Sequence, residues 1–287
     1  MRVTQARADS KRSADGLVRA VIRRFFANSR MRVSRLLSRD PLSPPWIQAE
    51  CSPLFPILHE DADLLVIDKP AGLVCHPTKS GARSSLIGRI RLYLGQTATA
   101  HLINRLDRET GGVVVVAKTD PAARELRRSW ESRAVQKEYL AIVHGCVRAE
   151  QGLIDAPLGK DEQSQVAIKE CVRADGAPSQ TEFRVERRFE RAEGRFTLLR
   201  VTPRTGRKHQ IRVHLAHSGH SIVGDKLYGG DERLYLDFVK CRLTDDQRRR
   251  LLLPFHALHA HSLHLEWQWR ETTFRARPEA WFTEFFR

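Results

Sequence analysis

The feature that most constrains the fold is an uninterrupted run of mostly β-branched residues, Val113–Ala117, preceded by a Gly-Gly pair. Such a run predicts a buried strand. Asp107 lies on the loop that leads into this strand, and Arg105 and Arg108 flank it. Positive charge on both sides favours the ionised carboxylate. An ionised, well-placed aspartate can act as a nucleophile or a base; the alternative is a turn aspartate beside two solvated arginines.

Four segments in order carry a resemblance to a known family. They are Asp-Leu-Leu-Val-Ile-Asp-Lys-Pro-Ala-Gly-Leu-Val-Cys-His-Pro (63–77), the Arg-Leu-Asp loop and strand (101–118), Lys-Glu-Tyr-Leu-Ala (137–141) and Arg-Thr-Gly-Arg-Lys-His-Gln-Ile-Arg-Val-His (204–214). Together they resemble the RluA-type pseudouridine synthases, which isomerise uridine to pseudouridine in structured RNA. The resemblance extends from about residue 54 to the last residue.

The resemblance implies a role for individual residues. Asp107 matches the family's catalytic aspartate, and Arg212 the arginine that pairs with it. Tyr139 matches the tyrosine that packs against the target base and that can help to move a proton. Arg105 matches the arginine that fills the gap left when the base flips out, and Ile211 forms the floor of the pocket. The structural alternatives are phosphate contacts for the two arginines and ordinary core positions for Tyr139 and Ile211.

Three further basic residues are candidates for substrate binding. Arg207 and Lys208 belong to the fourth segment, and Lys69 to a Lys-Pro-Ala-Gly turn that we interpret as mainly structural, with a phosphate contact for the lysine. Two positions depart from the family pattern: Asn104 stands where His is common, and Gly111 where Ser is common. Both residue types suit a tight loop, so we expect activity to survive.

Composition favours an RNA partner. The chain has 287 residues, with 49 Lys and Arg against 34 Asp and Glu, for a net charge of +15. This excess indicates a polyanion such as nucleic acid. No apolar run reaches the roughly 20 residues of a membrane span, and five scattered cysteines suit a reducing cytosol. We therefore expect a cytoplasmic monomer that acts on ribosomal or transfer RNA, without a membrane, a metal or any other cofactor.

The sequence suggests three parts. Residues 1–40 contain eleven Lys and Arg against three Asp and predict a basic tail or a vestigial RNA-binding module that adds affinity; an organelle transit peptide is the alternative. Residues 41–56 are Pro-rich and predict a linker. Residues 57–287 form the catalytic domain.

The predicted fold is α+β, with a central mixed, largely antiparallel sheet, flanking helices and an active-site cleft. The predicted strands are Leu64–Ile67, Val113–Ala117, Glu138–Val143, Thr181–Arg187, Phe196–Val201 and Leu263–Trp267. The predicted helices are Ser85–Leu94, Pro121–Arg133, Arg207–Ser218, Asp245–Leu253 and Pro278–Phe286.

Two other functions remain open on sequence alone. One is an RNA-binding protein of the same fold without activity, against which the presence of Asp107, Tyr139 and Arg212 argues. The other is a metallohydrolase, suggested by two histidine clusters (His209, His214, His217 and His220; His256, His259, His261 and His264). Acidic ligands are sparse around both clusters, and histidines that face solvent or RNA explain them more simply.

Overall fold

The computed structural model describes residues 54–77, 81–95 and 97–287. The predictions for residues 1–40 and for most of the linker lie outside them. The strands are β1 Ile57–Glu60, β2 Leu64–Lys69, β3 His101–Leu102, β4 Gly111–Ala117, β5 Gln136–His144, β6 Gln151–Asp155, β7 Leu158–Lys160, β8 Glu170–Val172, β9 Gln180–Arg191, β10 Gly194–Pro203, β11 Leu258–Trp267 and β12 Arg270–Arg275. The helices are α1 Leu86–Leu94, α2 Asp120–Glu131, α3 Gln210–His217, α4 Arg233–Val239, α5 Asp245–Leu251 and α6 Ala280–Thr283, which continues as a 3₁₀ turn, Glu284–Phe286.

Ten strands form one twisted sheet in the order β1-β2-β4-β11-β5-β10-β9-β6, with β12 paired to β11 and β3 to β4. Strands β4 and β11 run parallel, and the other pairs within this sheet are antiparallel. Strands β7 and β8 form a separate two-stranded sheet. The predicted α+β class with a mixed, largely antiparallel sheet is confirmed. No helix in the described ranges has both the length and the apolar character needed to cross a bilayer.

Strand β4 is buried on both faces, which explains its unbroken apolar sequence. Val113 packs in an apolar cluster with Leu126 of α2 on one face. Val114 packs with Ile90 of α1 on the other. Because side chains alternate across a strand, the same run serves both clusters. The prediction of a buried strand at this position is confirmed.

The glycine pair at the start of β4 permits close approach to β11. Gly112 has φ +114°, and a Cβ there would lie 2.2 Å from the carbonyl oxygen of Ala260. A Cβ at Gly111 would lie 3.2 Å from the carbonyl oxygen of Lys69. Side chains at these positions would push the strands apart. The pair therefore fixes where the Asp107 loop enters the sheet.

The boundaries of several predicted elements differ from the structure. Thr119 caps α2 and accepts a hydrogen bond from the backbone of Ala122, so the helix begins at Asp120, one residue before the predicted start at Pro121. Helix α3 begins at Gln210, three residues after the predicted start at Arg207, and residues 205–209 before it line a cleft. Helix α5 begins at Asp245 as predicted, after a capping box formed by Thr244 and Gln247. Several short elements were not predicted: β1, β3, β6, β7, β8, β12 and α4.

Candidate active site

A cleft of about 690 Å³ opens where the four segments singled out in the sequence meet. It is lined by the loop between β3 and β4, by the residues around the start of α3 and by β5. Many sequence-predicted site residues line it: Arg105, Asp107, Tyr139, Arg207, Lys208, Ile211 and Arg212. The topology thus brings together residues more than 100 positions apart.

The loop that carries Asp107 is held from several sides. The Asn104 side chain donates to the Val113 carbonyl at 3.1 Å and accepts from the Val115 amide at 2.8 Å. The backbone amide of Gly72 donates to the Arg108 carbonyl at 2.8 Å. Asn104 therefore fits this tight loop, as expected for the departure from His. Asp107 projects into the cleft, and its side chain is 30% exposed.

Arg212 binds two carboxylates at once. Its Nη1 donates to Asp107 Oδ2 at 2.8 Å. Its Nε and Nη2 donate to Asp225 at 2.7 and 2.9 Å, a bidentate pair. Only 7% of the Arg212 side chain is exposed, and its guanidinium stacks over the ring of Tyr228 at 4.9 Å. The predicted contact between Arg212 and Asp107 is present; the catalytic roles stay predictions.

Sequence reasoning missed Asp225. Its side chain is fully buried and accepts four hydrogen bonds: two from Arg212 and one each from the amides of Leu227 and Tyr228, at 2.9 and 3.0 Å. Burial raises the pKa of Asp225, but the charge and hydrogen bonds of Arg212 outweigh burial and hold it well below the usual value. The sequence signal is weak, because an aspartate after Gly224 suits any solvated turn.

Asp107 is ionised in this site. Burial raises the pKa of its carboxyl, and the nearby guanidinium of Arg212 outweighs that effect, so the pKa lies below the usual value. A carboxylate that is ionised, partly exposed and aimed into a cleft can attack a substrate atom or accept a proton.

Tyr139 and Ile211 line the cleft from different elements. Tyr139 lies on β5 and packs against two apolar clusters. Burial, together with the negative charge of Asp107, raises the pKa of its phenol above the usual value. The hydroxyl is therefore protonated at neutral pH and can donate a hydrogen bond. Ile211 is buried on α3 and presents an apolar surface to the same space.

Three of the basic residues predicted to bind substrate, Arg105, Arg207 and Lys208, are exposed. Arg105 makes no hydrogen bond or ion pair with other described residues and is free to contact a ligand. Arg207 donates from Nε to the Pro178 carbonyl at 3.3 Å. Lys208 pairs with Glu170 at 3.1 Å.

The predicted phosphate contact of Lys69 is wrong. Its side chain is fully buried and donates to the carbonyls of Leu73, Pro70 and Arg108 at 2.8, 3.0 and 3.2 Å. All three ammonium hydrogens are satisfied in this way, and burial lowers the pKa to about 8. Lys69 instead ties the turn after β2 to the Asp107 loop, in agreement with a structural role for the turn.

The histidines are more buried than expected. His214, His256 and His259 lie in the interior rather than facing solvent or RNA. His214 lies between Thr181 Oγ1 and the Ala156 carbonyl at 2.8 and 2.9 Å. Among the described residues, no group of three His, Cys, Asp or Glu side chains is arranged to hold a metal ion.

His209 belongs to the site, although sequence reasoning placed it only in a histidine cluster. It adopts a left-handed backbone, φ 54°, just before α3. Its Nδ1 lies 2.9 Å from Tyr228 Oη, and its Nε2 lies 3.9 Å from Asp107 Oδ1. Burial lowers its pKa to about 4, so the ring is neutral near pH 7.

A second buried ion pair lies behind the first. Lys226 Nζ is 2.8 Å from Glu109 Oε1 and also donates to the Pro254 carbonyl at 2.9 Å. Glu109 follows Asp107 by two positions, and Lys226 directly follows Asp225. The Asp107 loop and the turn after α3 are thus joined twice, once through Arg212 and once through this pair.

Comparison with known proteins identifies the family. The family model described as RNA pseudouridylate synthase matches residues 63–217, which include Asp107, Tyr139 and Arg212. The chain belongs to this family. The human RNA pseudouridylate synthase domain containing 4 has the same fold, with a TM-score of 0.61 and 28% identity over 79% of this chain and 90% of that one.

Curated relatives are longer than the part matched here. Ribosomal large subunit pseudouridine synthase D of Nitrosomonas europaea is 38% identical over 224 residues, 76% of this chain and 59% of the relative. Ribosomal large subunit pseudouridine synthase C of Pasteurella multocida is 38% identical over 210 residues, 73% of this chain and 60% of the relative. The chain spans about three fifths of the length of these two relatives.

Proposed function

We propose that this chain isomerises uridine to pseudouridine in structured RNA, with Asp107 as the essential carboxylate. The observation that carries the proposal is an ionised aspartate that faces an open cleft and is held by a buried arginine. The match of residues 63–217 to the RNA pseudouridylate synthase family supports it.

The chemistry needs few protein groups. The N-glycosidic bond breaks, and the uracil turns. C5 of the base then bonds to the sugar and loses its hydrogen as a proton, while N1 takes up a proton, so that the product is an isomer of the substrate. Asp107 acts either by attacking the sugar or the base or by accepting a proton. Tyr139 and Ile211 hold the detached ring in the cleft, and the Tyr139 hydroxyl donates a hydrogen bond to it. Arg105 takes the space of the flipped base, because a guanidinium plane stacks well on bases.

Ribosomal RNA is the first substrate to test. The two relatives described above carry names that refer to the large ribosomal subunit, while transfer RNA remains the second candidate substrate. A single chain supplies every group of the site, so the proposal includes action as a monomer. A reducing cytoplasm suits the scattered cysteines.

Release of label from C5 tests the activity directly. The purified chain is incubated with ribosomal or transfer RNA transcripts that contain [5-³H]uridine, with and without EDTA. We expect tritium release that EDTA leaves unchanged. Binding without release would favour the inactive RNA-binding alternative, and loss of release in EDTA that zinc restores would favour metal-dependent chemistry. Pseudouridine mapping of total RNA with and without the gene then identifies the uridines.

A further inference from the structure

Helix α2 has one apolar face and one basic face. Ala122, Ala123 and Leu126 are buried against the sheet. Arg124 and Arg128, one helical turn apart, are exposed on the opposite side together with Arg127. Residues at i and i+4 lie on the same face of a helix, so Arg124 and Arg128 form one continuous basic strip.

The helix runs beside the cleft. Near its C-terminal end, Trp130 lines the cleft, and Lys137 of β5 lines it as well. Further back along the helix, Arg127 Nη2 lies 3.4 Å from His101 Nδ1, and the next residue after His101 is Leu102, another lining residue. Helix α2 therefore borders the site through Trp130 and Arg127, and the basic strip lies on the exposed side of this helix.

The arginines of this strip lack carboxylate partners. Within the described ranges, Arg124 and Arg128 make no ion pair, although Asp120, Glu125 and Glu131 lie on the same helix. Helix α5 provides the contrast, because its exposed Arg249 and Arg250 both pair with Asp246, at 3.7 and 3.2 Å. Guanidinium groups without a carboxylate keep their full capacity for phosphate.

We propose that the exposed face of α2 binds the phosphate backbone of the RNA strand that flanks the uridine in the cleft. The inference rests on the proposed function, since the cleft sets where that strand begins. Trp130 and Lys137 mark the point where the strand leaves the cleft, and Arg124 and Arg128 bind successive parts of its backbone. An acidic protein is the rival occupant of the strip.

The test compares two double variants of the full chain, Arg124→Gln with Arg128→Gln and, as the matched control, Arg249→Gln with Arg250→Gln. Glutamine keeps high helix propensity, and all four side chains are exposed, so both variants should fold. Equilibrium binding of a substrate transcript is measured across a salt series, and the isomerisation rate is measured at saturating RNA. Each lost phosphate contact removes about 0.7 from the slope of log affinity against log salt for a single strand.

For the α2 variant we expect the slope to fall by about 1.4 and the affinity in 0.1 M salt to fall about 25-fold, with an unchanged rate at saturation. The control should match the wild type. An unchanged slope in the α2 variant, or equal losses in both variants, would overturn the proposal, and the first result would favour the acidic protein. If the salt slopes of the wild type and the α2 variant differ as expected but the wild type releases no tritium, the proposed function fails and the proposal for the α2 surface stands.

Discussion

Asp107 and Asp225 bind the same guanidinium, yet their surroundings differ. Asp225 is fully buried and accepts four hydrogen bonds, so its acceptor sites are occupied by protein donors. Asp107 is 30% exposed, and among the described residues only Arg212 donates a hydrogen bond to its carboxylate. An ionised carboxylate has about four acceptor sites. The difference shows which carboxylate keeps free acceptor sites: Asp225 orients Arg212, and Asp107 faces the open cleft.

The region behind Asp225 is built for rigidity. Glu109 and Lys226 add a second buried ion pair between the same two loops. Breaking a buried pair by removing one partner is strongly destabilising. The site thus has one side that is open to the cleft, Asp107, and a supporting side that holds it in place, formed by Asp225, Glu109 and Lys226.

Replacing Asp107 should have the largest effect on activity. Asp107→Asn keeps size but loses charge and basicity, so we expect the single-turnover rate to fall by at least about 10²–10⁴-fold, with RNA affinity retained. Stability should fall less than in an Asp225 variant, because Arg212 keeps its bidentate partner. Single-turnover kinetics measure the rate, and urea unfolding measures the free energy of unfolding. A variant that retained a rate within tenfold of wild type would refute the assignment.

Replacing Asp225 should affect stability first. Asp225→Asn removes a charge from a buried pair, and we expect a loss of about 3–5 kcal/mol in the free energy of unfolding, together with slower isomerisation because Asp107 loses its fixed partner. Urea unfolding measures the first effect. If Asp107→Asn destabilises the protein more than Asp225→Asn does, the supporting role assigned to Asp225 is wrong.

Acid should destabilise the protein over two pH ranges. His209 and His256 have folded-state pKa values of about 4 and about 3; the unfolded chain therefore binds more protons below about pH 6.5, and stability falls as pH falls from there. Asp107 and Asp225 have depressed pKa values, so their stabilisation is present above about pH 4 and is lost as pH falls further.

Glu109 opposes this trend, because burial raises the pKa of its carboxyl. Urea unfolding at a series of pH values measures the profile. Asp225→Asn should flatten the profile below about pH 4 and leave the histidine range in place. A variant with the wild-type slope below pH 4 would show that Asp225 does not carry the acid sensitivity.

The smallest effect concerns Tyr139. Tyr139→Phe keeps the ring and loses one hydrogen bond, which is worth about 0.5–1.5 kcal/mol, so the rate at saturating RNA should fall about tenfold or less with unchanged affinity. Because its pKa is raised, the phenol should not ionise below about pH 10. The pH–rate profile of the wild type checks this, and an alkaline limb below pH 10 that disappears in the variant would contradict it.

Local patterns were enough to predict the frame of the molecule. The uninterrupted run of mostly β-branched residues across Val113–Ala117 identified the central strand, since burial on both faces leaves an unbroken apolar run. The order of four segments identified the family, and with it Asp107 and its contact with Arg212. These predictions succeed because each depends on neighbours in the chain or on a motif that can be read along it.

The supporting side of the site was decided by tertiary structure. Asp225 meets Arg212 across 13 positions, and Lys226 meets Glu109 across 117; neither aspartate nor lysine differs in local sequence from one that faces water. For Lys69 the sequence predicted a phosphate contact, and tertiary structure buried the side chain instead. Three carbonyls surround it only after the turn and the Asp107 loop have packed together. A charged side chain takes its role from the groups that folding places around it, and its neighbours in the chain do not specify them.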